Sequence, residues 1–287
     1  VRAMERNVTS VLVMVNSHKP QAEPVVKDID SRLSALGINV LVAGFENGLM
    51  SGALPHADLA ISLGGDGTVL YCARKLAGSG IPIMPVNLGT FGFITEITAT
   101  EWYEEFSAYM SGQVSSGQRL MLEVKLFRED RLVCSNIGLN DVVITGAGIS
   151  NLISVAVSLG SGDLGRYRAD GVLIATPTGS TAYSMAAGGP VLCPEMQAII
   201  LNPICPFTLS HRPIVLPPEE KISITVDQQQ RSELILTVDG QTVVKLQTGD
   251  RLEVERSVRS IGIVRSSSRS FYDVLRAKLN WSGGSND

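Results

Sequence analysis

LGGDGTVLY (residues 63–71) places Gly64, Gly65, Asp66 and Gly67 where an apolar, strand-like run meets a helix-like one. Two readings fit the stretch alone. It is either a tight turn, or a cradle in which glycine N–H groups approach phosphate oxygens and the helix start behind them favours negative charge. The second reading has to explain a carboxylate: Asp66 beside phosphate is repelled unless it holds magnesium or accepts a proton from an attacking hydroxyl. The stretch fits neither the dinucleotide fingerprint GxGxxG nor the Walker pattern GxxxxGK[ST].

Outward from this turn, the first third of the chain alternates in period. VTSVLVMV (residues 8–15), INVLVA (38–43), LAISL (59–63) and IPIMPV (81–86) read as strands. Val25, Val26, Ile29, Leu33 and Leu36 recur at helical spacing before Gly37, and residues 68–77 read as a second helix. Such alternation makes parallel βαβ units. In TATEWYEEFSAYMSG (98–112), Thr98 and Glu101 offer a capping box, Tyr103, Phe106 and Met110 share a face, and Gly112 is a stop.

From about residue 119 to 263 the texture changes. LMLEVKLF, LNDVVIT, ISVAVSL, GVLIAT, KISITV, SELILTVDG, TVVKLQ and RLEVE are short, rich in Val, Ile and Leu, and punctuated by Gly, Asp, Asn and Pro, the pattern of an antiparallel β domain. FYDVLRAKLNW (271–281) is helical again and is expected to pack back on the first domain. SSSRS (266–270) is a low-complexity tract, and the tail SGGSND is expected to be disordered. The expected organisation is residues 1–112, 113–264 and a returning segment 265–287.

The chain has 287 residues, 44% of them hydrophobic, enough for a sizeable core. Its net charge of −4 argues against a general nucleic-acid or anionic-membrane partner. Cys72, Cys134, Cys193 and Cys205 form no CxxC pair and read as buried free thiols of a reducing compartment, and His18, His56 and His211 lack metal-ligand spacing. The first apolar run ends at Asn16 and reads as a core strand, not a signal peptide, with Met4 as an alternative start. No run reaches the roughly 20 apolar residues that span a bilayer, so the expected location is the cytoplasm.

A second cluster lies in RYRADGVLIATPTGSTAYSMAAGGP (166–190), where Thr176, Thr178, Ser180, Thr181 and Tyr183 surround Pro177 and Gly179. It is either a plain loop of a β protein, or a set of hydroxyls, N–H groups and one aromatic face suited to a sugar, a phosphate and a flat base. Asp-Gly recurs at 66–67, 170–171 and 239–240, and Asn140-Asp141 adds a polar pair amid apolar strand. Each Asp-Gly alone reads as a hairpin turn; together with the loops they suggest one divided site. Arg119, Arg166 and Arg212 read singly as solvated surface.

These motifs resemble the NAD kinase family. The resemblance runs through VNSHKPQA (15–22), LGGDGTVLY, PVNLGTFGFITEI (85–97), LNDVVI, DGVLIATPTGSTAYSMAAGGP, NPICPFTLSHRPIVLP (202–217), VDGQ and RAKLNW. GGDGT alone also resembles 6-phosphofructokinases and diacylglycerol or sphingosine kinases; followed by NxGxxGF and TPTGSTAY in this order, it is specific. A lipid or sugar kinase would leave TPTGSTAY without a dinucleotide to hold, and a silent NAD or NADP sensor would leave Asp66 without a use.

The resemblance implies an N-terminal α/β domain, Rossmann-like and phosphofructokinase-like, plus an all-β, β-sandwich-like C-terminal domain. It implies transfer of the γ-phosphate of ATP to the 2′-hydroxyl of the adenosine ribose of NAD. It implies homodimers or homotetramers in which a neighbouring subunit can complete the NAD site. Asp66 matches the catalytic aspartate, beside Gly67. Asn140 and Asp141 match a pair, usually Asn-Glu, that holds the nicotinamide-side ribose. Asp170 matches an acid near the nicotinamide, and Arg168 a phosphate contact. Thr178 is a further NAD contact, and the segment Thr181, Ala182, Tyr183, Ser184, Ala186 matches the adenine and ribose pocket, with Phe93 near the adenine and Gln241 a further contact. Gly64, Gly65, Gly67 and Thr68 would hold the triphosphate, with magnesium carried on ATP and no dedicated protein metal site. Three departures stand out: Asp141 for glutamate, which implies a looser or water-bridged contact; Glu96 for aspartate; and Phe207 where many members have histidine.

Overall fold

The computed structural model describes residues 6–16, 19–46, 49–50, 54–89, 91–148, 152–208 and 210–281, with backbone alone at 46 and 49–50. Met4, His18 and the tail after Trp281 lie outside the described residues. The chain divides into two compact units, residues 1–118 with 261–287, and residues 119–260.

In the first unit, β1 (Ser10–Asn16), α1 (Ala22–Ala35), β2 (Asn39–Glu46), β3 (Leu49–Met50), β4 (Leu59–Gly64), α2 (Asp66–Leu76), β5 (Ile83–Asn87), β6 (Ile97–Thr98), α3 (Trp102–Met110) and β7 (Ser116–Arg119) follow in order. β1, β4 and β5 lie side by side in parallel, β2 is parallel to β1 on its other side, and β6 is parallel to β5. β4 and β5 are buried along their whole length, as strands covered on both faces must be. α1 buries Ala22, Ile29 and Leu33, and Gly37 ends it at φ +75°; Leu36, placed on the apolar stripe by its spacing, is 57% exposed because it is the C-cap. α3 buries Trp102 and Phe106 fully, with Tyr109 beside them. Its capping box is half made: Glu101 accepts from the Thr98 N–H and hydroxyl, and no side chain caps the helix in return.

The second unit is two six-stranded sheets. Its strands are β8 (Leu122–Arg128), β9 (Arg131–Gly138), β10 (Asp141–Gly146), β11 (Ile153–Leu159), β12 (Gly162–Ala169), β13 (Gly171–Ala175), β14 (Ile199–Ile204), β15 (Ile214–Leu216), β16 (Ile222–Val226), β17 (Leu234–Val238), β18 (Thr242–Leu246) and β19 (Arg251–Arg256), with a short helix α4 (Tyr183–Ala186) after β13. One sheet runs β15-β14-β13-β10-β17-β18, the other β12-β11-β16-β19-β8-β9. Inward residues of both sheets, among them Val124, Val155, Tyr167, Ile174, Leu201, Ile224, Leu236 and Leu252, meet in one core, which makes the unit a sandwich. A second cluster, with Val143, Leu173, Ile200 and Leu192, covers the other face of β13 and β14 and explains why both strands are buried throughout.

β20 (Ile261–Val264) then joins the first sheet, parallel to β5 and next to β7, and α5 (Phe271–Leu279) follows behind a complete Ser270–Asp273 capping box. The unit boundaries therefore fall at 118/119 and 260/261, not at 112/113 and 264/265, because β7 and β20 both belong to the first sheet.

Two expectations are corrected: Arg119 is not solvated surface, and the four cysteines are not all buried. Arg119 is 8% exposed and pairs with Glu195 at 3.2 Å. Of the free cysteines only Cys72 is buried; Cys205 is exposed. The second unit also encloses an ion pair that its sequence does not advertise. Asp250, fully buried, takes two parallel 2.8 Å bonds from Arg128 and one from the Gln247 N–H. Arg128→Ala leaves that carboxylate with a single donor, and is expected to lower the stability of the fold by about 3 kcal/mol in urea titration, whereas Arg259→Ala at an exposed turn changes it by less than about 0.5 kcal/mol. Equal, small effects would mean the pair contributes nothing.

Candidate active site

In the first unit the strand order reverses direction between β1 and β4, and the carboxyl ends of strands at such a switch form the ligand crevice of open α/β sheets. β4 ends there in Gly64. α2 opens at Asp66, with Gly65 as an extended N-cap, two residues earlier than the apolar spacing predicts, since Asp66 and Gly67 carry no apolar side chain to mark the period.

The Asp66 carboxylate is held by the segment after β5. Its Oδ1 accepts from the N–H groups of Ile94 (3.2 Å) and Thr95 (3.0 Å) and from the Thr95 hydroxyl (2.9 Å), and its Oδ2 accepts from the Phe93 N–H at 2.9 Å. Two carboxylate oxygens offer about four acceptor positions. With three donors crowded on Oδ1 and one on Oδ2, Oδ2 is the oxygen with room for another. Gly92 makes the approach possible: a Cβ there would overlap the Asp66 carboxylate and the Thr95 hydroxyl. Thr95, fully buried, is held in turn by the Asn87 amide at 2.8 Å.

The four residues expected to hold phosphate divide into two kinds. Gly64 is required by packing, since a Cβ would overlap the buried Thr68 side chain, and the Thr68 N–H is spent on the Gly65 carbonyl at 2.9 Å. Gly65 faces open space and its N–H meets no acceptor among the described residues; Gly67 is exposed. The donor this turn offers to a ligand is thus the Gly65 N–H. Among the described residues no group of three or more His, Cys, Asp or Glu side chains could hold a metal ion.

In the second unit Asp239 organises a different cluster. Asp239 and Gly240, both left-handed (φ 52° and 63°), turn β17 into β18. The Asp239 carboxylate reaches across to accept from the N–H groups of Leu139 (3.0 Å), Asn140 (2.7 Å) and Asp141 (3.2 Å). The turn after β13 packs on the same place: the Thr176 N–H donates to the Asn140 carbonyl at 2.9 Å, and a Cβ on Gly179 would overlap that carbonyl. Of the hydroxyls in TPTGSTAY, three are spent on backbone groups, Thr176 on the Leu139 carbonyl, Ser180 on Pro177 and Leu192, and Thr181 on the Thr178 carbonyl.

What remains is unsatisfied. Asn140 Oδ1 and Thr178 Oγ1 are buried and meet no partner among the described residues. Asp141, 5% exposed, accepts no hydrogen bond at its carboxylate there either; burial first, then the neighbouring Asp239 charge, pushes its pKa up to about 7. Buried polar groups without partners are what a ligand's hydroxyls or amides would complete.

The structure brings Asn140, Asp141, Thr178 and Asp239 together. Ala182 and Ser184 lie in the following turn, Ser184 buried against the Asn202 amide, whereas Tyr183 is 45% exposed and Ala186 is exposed. Gln241 is exposed beyond the β17–β18 turn, and Phe93 is half-buried in the first unit. Arg168 and Asp170 stand apart, exposed at the opposite end of β13 from Thr176, six residues or about 20 Å away at strand rise. The Arg168 guanidinium lies over the exposed Phe207 ring at 5.4 Å. Gly92 and Asn202 were not among the expected site residues, and Asp239 entered only through the repeated Asp-Gly.

A parallel-sheet unit with a carboxylate at a glycine turn, continued by a β-sandwich, is the build of a nucleotide phosphotransferase. Family models for the ATP-NAD kinase N-terminal and C-terminal domains match residues 49–114 and 139–266. The chain is 41% identical over 276 residues to the NAD kinase of Treponema denticola, covering 96% of this chain and 97% of that one, and 38% identical over 280 residues to that of Geobacter sulfurreducens, covering 94% and 98%. Yeast NADH kinase complexed with NADH superimposes with a TM-score of 0.86 at 25% identity, covering 97% of this chain and 89% of that one. An NAD kinase from Archaeoglobus fulgidus in complex with ATP gives 0.72 at 25% identity, covering 95% and 100%. The chain belongs to the NAD kinase family.

The raised pKa of Asp141 has a consequence for stability. Between about pH 4 and pH 7 the unfolded chain ionises this carboxyl while the folded one keeps its proton, so folding stability falls as pH rises through that window and levels off above it. Asp141→Asn removes the effect. The stability gained by the variant over the wild type should be larger at pH 8 than at pH 5 by about 2 kcal/mol in denaturant titration. A gain independent of pH would show that Asp141 does not titrate there.

Proposed function

We propose that this protein transfers the γ-phosphate of ATP to the 2′-hydroxyl of the adenosine ribose of NAD, releasing ADP and NADP. The observation that carries the reading is the Asp66 carboxylate, fixed by four donors at the mouth of a glycine turn and keeping one acceptor position on Oδ2. That position receives the ribose hydroxyl. As the bond from O2′ to the γ-phosphorus forms and the bond to the β,γ-bridging oxygen breaks, the hydroxyl proton passes to Oδ2. A loose phosphoryl-transfer transition state asks for little deprotonation before attack, so holding the two reactants in line contributes more than the strength of the base.

The Gly65 N–H, at the start of α2, meets the phosphates, while Gly64 and Thr68 keep the turn in shape. Magnesium arrives with ATP as part of the substrate, because the one open Asp66 position is taken by the hydroxyl. Asn140 Oδ1, the Asp141 carboxylate and Thr178 Oγ1 receive the hydroxyls of the nicotinamide-side ribose and its surroundings, which explains three buried acceptors left without partners. Tyr183 offers its exposed ring to the adenine, with Thr181, Ala182, Ser184 and Ala186 lining that end and Gln241 a further contact. Arg168 and Asp170, at the far end of β13, serve the nicotinamide and phosphate from a neighbouring subunit.

The direct test is to incubate the purified protein with ATP, magnesium and NAD and read NADP with a dehydrogenase that accepts only NADP; no NADP would overturn the proposal. Asp66→Asn should retain NAD binding and lose on the order of 10²-fold or more in turnover. Turnover within threefold of wild type would remove Asp66 from the chemistry. Tyr183→Ala should raise the KM for NAD roughly tenfold while leaving that for ATP within twofold, since stacking on a base is worth about 1–3 kcal/mol. Equal losses for both nucleotides would contradict the assignment of that turn.

A further inference from the structure

The serine tract 266–270 spends its donors on α3 and the segment before it. Glu105, 2% exposed, accepts from the Ser266 hydroxyl at 2.8 Å and the Ser267 N–H at 2.7 Å. Between these serines and α5, Arg269 forms a two-pronged bond with Glu101, at 2.8 and 2.6 Å, and the same Nη1 donates to the Glu96 carbonyl at 3.0 Å. Its guanidinium also lies over the Phe91 ring, 5.5 Å from the centroid. Arg269 therefore touches residues 91–96 at both ends. Between those ends lie the Phe93, Ile94 and Thr95 N–H groups that hold Asp66.

This segment has little regular structure of its own, since only Ile97 and Thr98 pair with β5. Gly92 also leaves it no slack against the Asp66 carboxylate. A bidentate guanidinium–carboxylate pair fixes direction as well as distance, and an ammonium does not. We propose that Arg269 is a positioning residue for the phosphoryl transfer: by bridging Phe91, the Glu96 carbonyl and the Glu101 carboxylate it fixes residues 91–96, and through them the orientation of the Asp66 carboxylate. The proposal rests on the reading of Asp66 given above.

The test compares Arg269→Ala, Arg269→Lys and Glu101→Gln in the full chain, each alone and, for Arg269→Ala, combined with Asp66→Asn, with kcat, both KM values and the thermal midpoint measured. Arg269→Ala should lower kcat on the order of tenfold or more, the scale of a small misplacement of a reacting group, with both KM values within threefold. Arg269→Lys should recover part of the loss. In the Asp66→Asn background Arg269→Ala should change kcat by less than threefold, because a residue acting through Asp66 has nothing left to orient. Wild-type kcat in folded Arg269→Ala, or the same fold-loss in both backgrounds, overturns the proposal. Should Arg269→Ala fail to fold, Glu101→Gln, which keeps the Thr98 contacts and neutralises the pair, decides in its place: a severalfold lower kcat supports the role and an unchanged one overturns it. Full turnover in Asp66→Asn would remove the reading of Asp66 together with this proposal; loss in Asp66→Asn with full kcat in Arg269→Ala removes this proposal alone.

Discussion

An aspartate at the first position of a helix, beside a glycine turn, must find donors, and the way Asp66 finds them shapes the first unit. Its partners are three N–H groups and one hydroxyl in the segment after β5, so one carboxylate ties the loop of one central strand to the loop of the next. The tie extends further. Thr95 leans on Asn87 at the end of β5, Gly92 gives up its side chain to let the segment close, and Arg269 and the serines before it hold the outer side of the same segment. The return of residues 261–281 to the first unit is therefore part of how the carboxylate is placed, as well as of how the sheet is completed by β20.

The second unit solves an opposite problem. Asp239 is a carboxylate satisfied by backbone, three N–H groups from residues 139–141, and its charge then stands beside Asp141, which has no donor and is buried. A fold selected for stability alone would place an apolar residue at Asp141, or a donor beside it. Retaining a desolvated carboxyl next to an orphaned amide oxygen and an orphaned hydroxyl is a local fault in the sandwich. Such faults collect where a ligand supplies what the protein leaves out.

Much of this was legible in the sequence, and the rest was hidden for physical reasons. Strands such as Leu59–Gly64 and Ile83–Asn87 announce themselves because both faces are buried and the residues are apolar throughout. The start of α2 was not visible to periodicity, because Asp66 and Gly67 carry no apolar side chain to mark the period. TPTGSTAY looked like a loop full of free hydroxyls; Thr176, Ser180 and Thr181 turn inward because a tight turn packed on Asn140 has carbonyls to satisfy, and only Thr178 is left over. Asp239 read as a hairpin residue and is one, but a left-handed turn also throws its carboxylate across to the neighbouring strand, a use that turn statistics do not register.

The serine tract is the instructive failure. By composition SSSRS is a linker, with small polar residues and no apolar period. In the folded chain its donors close on Glu105, Glu101 and the Glu96 carbonyl, partners more than 160 residues away in sequence. Polar residues can be ordered by such partners as firmly as apolar ones are by a core, but the information lies in the carboxylates they meet and not in the tract. Glu101 illustrates the point from the other side: its spacing from Thr98 marked a helix cap, yet the Arg269 guanidinium, against the opposing effect of burial and with help from the Thr98 hydroxyl and N–H, holds its carboxyl down to about 2, so it stays charged across the neutral range and serves as an anchor. A residue read as the start of one helix is the point at which the end of the chain grips the segment that orients Asp66.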